Sequence, residues 1–265
     1  MKIIVCIKQV PSTNQVKLDP ETKTIIRDGR QSVINPFDTY AIEEAVRLKE
    51  KLGGKVTALS MGIPATQRIL REAMSQGVDE ALLLSDRAFA GADTLATAYT
   101  LALGARHIGD FDLIVCGRMA TDGDTAQIGP ELAEDLGVPH VTNVSEILEA
   151  SDTELLCRKV TDYGTQVVRM KLPGVITVAK DINMPRMASI RGVRESLEAP
   201  FTMLGAADTG ADPARIGLKG SPTQVVRTFT PEKTVECQFL QGDEKQAAGA
   251  LCRLLKEEHL TGEEA

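Results

Sequence analysis

The stretch Gly117-Arg118-Met119-Ala120-Thr121-Asp122-Gly123-Asp124-Thr125-Ala126-Gln127-Ile128-Gly129-Pro130 concentrates residue types suited to holding an anion. It follows the apolar run 112–116 and leads into a helical pattern, whose first turn is expected near Asp124 or Thr125. Free amides at a helix start attract phosphate. Gly123 lets backbone approach a ligand, and Thr125 and Gln127 add side-chain donors. Asp122 and Asp124 sit poorly beside a pyrophosphate and better suit capping or hydroxyl binding. Pro130 bends the helix or marks a later start. A capped turn with no ligand has the same spacing. The loop is neither a Walker A sequence nor GxGxxG, so ATP hydrolysis and the usual dinucleotide fingerprint are unsupported.

A second small-residue loop, Ser85-Asp86-Arg87-Ala88-Phe89-Ala90-Gly91-Ala92-Asp93-Thr94, runs into a helix that Asp93 would cap. Arg87 offers a cation and a planar surface; an ordinary connection reads the same way. The third candidate is Lys180-Asp181-Ile182-Asn183-Met184-Pro185-Arg186-Met187-Ala188-Ser189-Ile190-Arg191-Gly192-Val193-Arg194, basic and methionine-rich on an acidic chain. Methionines can repack against several partners, or simply fill core gaps. Cys6, Cys116, Cys157, Cys237 and Cys252 are scattered, without a CxxC pair, and only three histidines are present. Metal and disulfide frameworks therefore lack support. No Ser-His-Asp spacing or paired carboxylates stand out. A chain without its own acid–base machinery suits chemistry that belongs to a bound cofactor.

The elements that position these loops alternate strand and helix. Apolar runs at 2–7, 56–61, 80–85 and 112–117 are separated by helical stripes over 38–52, 64–75, 93–105 and 124–136. This pattern predicts an α/β fold with a doubly wound, mostly parallel sheet, Rossmann-like. Its ligands belong at the carboxyl ends of the strands. Past Gly137, residues 153–160 and 166–172 read as an antiparallel hairpin, and 175–178 as a strand that rejoins the sheet. Residues 181–231 show little periodicity, and 243–258 form an amphipathic helix. The expected division is 1–194 for the nucleotide-binding α/β domain, with its hairpin and loop 183–194, and 195–265 for a C-terminal arm and helix.

The 265 residues carry 30 Lys and Arg against 37 Asp and Glu, a net charge of −7, with no Trp. Such a surface repels a phosphate backbone and offers few stacking platforms, which argues against nucleic-acid binding. No apolar run approaches the ~20 residues of a membrane helix. The scattered cysteines suit a reducing cytoplasm.

Taken in order, Val5-Cys6-Ile7-Lys8-Gln9-Val10-Pro11, Asn35-Pro36-Phe37-Asp38, Asp122-Gly123-Asp124-Thr125-Ala126-Gln127, Leu172-Pro173 before Val175-Ile176-Thr177, and Asn183-Met184-Pro185-Arg186 with Ser189-Ile190 resemble the beta subunit of electron-transfer flavoproteins over about residues 2–258. The resemblance implies a heterodimer with an alpha subunit on which residues 195–265 pack. In the housekeeping branch the beta subunit holds a structural AMP. In the electron-bifurcating branch an FAD takes that place and accepts hydride from NADH. One electron then goes to ferredoxin or flavodoxin, and the other, through the alpha-subunit FAD, to an acyl-CoA dehydrogenase-type partner. The chain would thus be an electron carrier that oxidises NADH only within its complex.

The Asp122-Gly123-Asp124-Thr125 loop and the Ser85–Thr97 stretch look like the bifurcating branch. By the same resemblance, Cys6, Asn35, Asp38 and Met61 line the adenosine pocket. Gly117, Arg118, Asp122, Gly123, Asp124, Thr125, Ala126 and Gln127 hold the phosphates. Asp93, Thr94 and Thr97 lie around the flavin, with Arg87, Phe89 and Gly91 on the NADH side. Arg186, Ile190 and Arg191 belong to the segment that docks the dehydrogenase, with Ile190 at the anchor. Met119 departs from the glutamine more common there, and Tyr163 from the Gly or acidic residue of the hairpin.

Overall fold

Apolar runs that alternate with helical stripes need two covered sheet faces, and that is the architecture found. The computed structural model describes residues 1–12, 32–226, 237 and 239–260. The turn-rich stretch 13–31 and part of the expected arm, 227–236, lie outside the described residues. Met1–Val226 form one compact unit.

Its strands are β1 (Lys2–Cys6), β2 (Gln9–Pro11), β3 (Ser32–Ile34), β4 (Lys55–Met61), β5 (Glu80–Leu84), β6 (Leu113–Gly117), β7 (His140–Ala150), β8 (Glu154–Thr161), β9 (Gly164–Lys171), β10 (Gly174–Val178) and β11 (Phe201–Leu204). The helices of this unit are α1 (Pro36–Leu52), α2 (Gln67–Ser75), α3 (Thr94–Ile108), α4 (Ile128–Leu136), α5 (Ile190–Glu198) and α6 (Ala206–Thr209). One nine-stranded sheet has the order β11-β5-β4-β1-β6-β10-β7-β8-β9, and β2 pairs with β3 in a separate ribbon. Pairing is parallel from β11 through β7 and antiparallel across β7-β8-β9.

Because a strand's side chains alternate, each central strand feeds two cores. Ile3 and Val5 of β1 join Ala41, Ile42 and Ala45 of α1 and Ile69 and Leu70 of α2. Ile4 and Cys6 point the other way, to Tyr99, Leu101 and Ala102 of α3 and Leu132 and Ala133 of α4. The buried strands are the continuous apolar runs of the sequence, as a sheet covered on both faces requires.

Three sequence expectations change. The hairpin β8-β9 continues the main sheet through β7, which the apolar pattern missed. β7 is half-buried, shifts register between Val144 and Glu146 and again between Ile147 and Glu149, and carries Asn143 at φ 55°, so its alternation is broken. Within the stretch read as aperiodic, α5 and β11 are regular, and β11 pairs with β5 at the sheet edge. The helix expected from Asp124 or Thr125 starts at Ile128, so Pro130 falls in its first turn, where no intrahelical N–H is needed.

The remaining helix, α7 (Glu244–Glu257), is described on its own. Asp243 accepts from the Gln246 amide at 2.8 Å while Gln246 accepts from the Asp243 amide at 3.2 Å, a reciprocal cap. Among the described residues no helix is long and apolar enough to cross a membrane.

Candidate functional site

The chain leaves β1 toward β4 on one side and returns through β6 on the other, so β1 and β6 lie side by side at the point where winding reverses. In such sheets the crevice beyond the carboxyl ends at that point is the ligand site. Here it is bordered by the residues after Cys6 and by the loop after Gly117.

Two buried residues at the start of α1 tie those segments together. Asp38 accepts from the Lys8 amide at 2.7 Å and from Asn35 Nδ2 at 2.9 Å. Asn35 Nδ2 also donates to the Met119 carbonyl at 2.8 Å, and Asn35 Oδ1 accepts from the Thr121 amide at 3.2 Å. Burial pushes Asp38 up to about 7, although the hydrogen bonds from Lys8, Asn35 and Gly117 and the charge of Lys8 pull it down. A Cβ on Gly117 would come within 2.3 Å of Asp38 Oδ1 and 2.8 Å of the Phe37 carbonyl carbon, so only glycine lets β6 approach α1 this closely. Asn35 and Asp38, expected along the adenosine pocket, are thus struts between the two loops.

Lys8, which sequence reasoning passed over, pairs with Asp122 at 2.6 Å and neutralises one of the two awkward carboxylates. The signal was a lysine closing the first apolar run at the carboxyl end of a strand. Beyond Asp122 the loop turns sharply: Asp124 and Ala126 adopt φ of 37° and 56°. A left-handed alanine costs roughly 1–2 kcal/mol, a strain that collects at functional sites. The amides of Gly123 and Asp124 both reach the Ala120 carbonyl. Among the described residues no acceptor faces the amides of Thr125, Ala126, Gln127 and Ile128. Donors clustered in such a turn, at the positive end of α4, form an anion cradle. Gly123 has ordinary φ, and a Cβ there would meet only Lys8 Nζ at 3.8 Å. The space beside it is open.

The loop after β5 closes the other side. Asp93 caps α3 through the Ala96 amide at 3.1 Å and accepts from the Thr223 amide at 3.1 Å and hydroxyl at 2.8 Å. Burial acts to raise this carboxyl, but those donors outweigh it and hold it below its usual range. The Thr94 hydroxyl lies 3.2 Å from Gln127 Oε1 and 3.1 Å from Glu131 Oε1, bringing the starts of α3 and α4 together. Glu131 is raised, first by burial and then by Asp93 and Asp135. Arg87 is exposed, Thr97 is half-buried, and exposed Gly91 sits at φ 75°. Phe89 is buried, 4% exposed, in the core shared with residues of α3 and α4.

Cys6 and Cys116 neighbour each other across β1 and β6, and both are buried. A hydrogen bond to Cys6, then burial, then nearby Asp38, keep the Cys116 thiol well above its ordinary value, and so inert. Met61, half-buried at the end of β4, packs against the same core as Cys6. Among the described residues no cluster able to hold a metal ion occurs.

In the third candidate segment Ile190 is 94% exposed, and Met184 and Met187 point to solvent with it. Arg191 is exposed and pairs with Glu195. Arg186, expected in the docking segment, pairs with Glu43 and Glu50 of α1.

Comparison with known proteins agrees with the fold. Residues 22–207 match the electron transfer flavoprotein domain. The chain is 45% identical over 261 residues to an electron transfer flavoprotein subunit beta of Thermoanaerobacterium thermosaccharolyticum, covering 98% of this chain and 100% of the relative. It is 43% identical over 262 residues to the caffeyl-CoA reductase-Etf complex subunit CarD of Acetobacterium woodii, and 38% over 268 to the acryloyl-CoA reductase electron transfer subunit gamma of Anaerotignum propionicum, each covering 98% of this chain and 100% of the relative. A doubly wound sheet with an anion cradle at its switch point and full-length similarity to beta subunits leads to one assignment: the chain belongs to the electron transfer flavoprotein family.

Proposed function

We propose that this chain is the beta subunit of an electron-bifurcating heterodimer and holds FAD at the β1/β6 switch point. The observation that carries the reading is the turn of four amides, residues 125–128, that meet no acceptor among the described residues, beside the open space at Gly123. These amides and the start of α4 grip the diphosphate, while Lys8 neutralises Asp122 at its flank. Asn35 and Asp38 keep the two loops at fixed separation. Thr94 and Thr97 border the ring side, and exposed Arg87 supplies the cation toward NADH. FAD bound there supplies two-electron oxidation of NADH and single-electron delivery to two acceptors.

The partners in this reading are the alpha subunit, a ferredoxin or flavodoxin, and an acyl-CoA dehydrogenase-type flavoenzyme, all in the cytoplasm. Two relatives named for CoA-ester reductases support the last. A mononucleotide phosphate would use the same amides, so AMP in a simple electron shuttle is the rival. Counting cofactors in the purified heterodimer decides: two FAD are expected, and one FAD with one AMP overturns the reading.

Docking has its own expected outcome. Ile190→Ala removes a side chain that is 94% exposed, so stability should move by less than about 0.5 kcal/mol. Coupled electron transfer with the flavoenzyme should weaken about tenfold, as for an interface anchor, with NADH oxidation intact. An unchanged coupled rate would remove Ile190 from the interface.

A further inference from the structure

Residues 183–189 carry no helix or strand. Side chains of α1 hold this segment in place. Asn183 Nδ2 donates to the Tyr40 carbonyl at 3.0 Å and to Glu44 Oε2 at 2.9 Å. The Arg186 amide donates to Glu43 Oε2 at 3.1 Å, and its Nε donates to the same oxygen at 2.8 Å. Arg186 Nη1 and Nη2 reach Glu50 at 2.6 and 2.9 Å. Arg47 closes the group from below, donating to Glu43 Oε1 at 2.6 Å and to the Met184 carbonyl at 3.4 Å.

Glu43 is the centre of this clasp. Its side chain is 4% exposed, and it serves two guanidinium groups and one backbone amide. Burial alone would raise its carboxyl, but the bonds from Arg186 and Arg47 prevail and hold it below the usual range. An apolar residue could fill the same place without desolvating a charge, so stability alone does not explain a carboxylate there. What the ion group adds is one geometry, because a planar guanidinium shared between two carboxylates has little freedom. The side chains pinned outward by that geometry are Met184, Met187 and Ile190, 83%, 92% and 94% exposed.

We propose that Glu43 is a positioning residue for docking: by holding the amide and guanidinium of Arg186 against α1, it fixes how Met184, Met187 and Ile190 are presented to the flavoenzyme partner. This rests on the reading above, in which segment 183–194 docks that partner.

The test is Glu43→Gln in the full heterodimer, with a butyryl-CoA-oxidising dehydrogenase as probe. Hydrogen exchange of amides 184–189 should accelerate, and KM for the dehydrogenase should rise, each about tenfold, for one lost charge-assisted contact. Flavin content and kcat at saturation should stay unchanged. Arg186→Lys keeps the charge but loses the fork, and should move both readouts the same way. It also carries the test if Glu43→Gln yields no soluble dimer. Unchanged exchange and KM, with Ile190→Ala still raising KM, would overturn the role of Glu43 and leave the docking reading standing. Faster exchange with KM unmoved in both Glu43→Gln and Ile190→Ala would overturn the docking reading and this proposal together. A fall in kcat at constant KM would also overturn it.

Discussion

Replacing Gly123 by valine is expected to empty the beta-subunit nucleotide site and leave the fold intact. A Cβ at this position meets only Lys8 Nζ at 3.8 Å, and the backbone is not left-handed there. Stability should therefore change by less than about 0.5 kcal/mol. The added methyl groups would stand in the space the diphosphate needs beside the amides of residues 125–128. Affinity should fall at least about a hundredfold, equivalent to roughly 3 kcal/mol. The purified heterodimer should lose one FAD and keep the one on its alpha subunit. Full flavin content in this variant would move the phosphates elsewhere.

The second large effect concerns Asp38. Its carboxyl has an ordinary value of 3.8 and is pushed up to about 7 by burial. Above about pH 4 the unfolded chain has released this proton, whereas the folded chain keeps it until about 7. The folded state binds more protons across that window, so stability falls as pH rises from about 4 to 7 and levels off beyond. Asp38→Asn removes the ionisation. Urea midpoints measured at pH 5 and 7.5 should show wild type losing roughly 2–3 kcal/mol relative to the variant between the two. Parallel pH profiles would show that the carboxyl titrates in its ordinary range.

The central strands and the two helix layers were legible because burial on both faces writes itself as unbroken apolar runs, as in Ile3–Cys6 and Leu113–Cys116. β7 was not, since two register shifts and the left-handed Asn143 break the period that marks a half-buried strand. The start of α4 slipped from Asp124 to Ile128 because the carboxylates that look like caps are used otherwise: Asp122 pairs with Lys8, and Asp124 turns left-handed.

In the site, the loop composition pointed to an anion, but the residues that hold the loop did not show themselves. Asn35 reaches carbonyl and amide groups 84 and 86 positions away. The acceptors of Arg186, which was assigned to the partner-docking segment, lie 143 and 136 positions upstream. Local pattern carries no trace of contacts at that distance. The burial of Phe89 was hidden too: its neighbours are polar and small, and only the packed core shows that the ring faces inward.

The pairing of Phe201–Leu204 with Ala81–Leu84 has a practical consequence for anyone shortening this chain. A truncation at residue 194 would strip the outermost strand and bare the backbone donors and acceptors of Glu80-Ala81-Leu82-Leu83-Leu84. An apolar strand with an open rim is a template for chain-to-chain association. The smallest soluble piece of the sheet domain must therefore extend past Leu204.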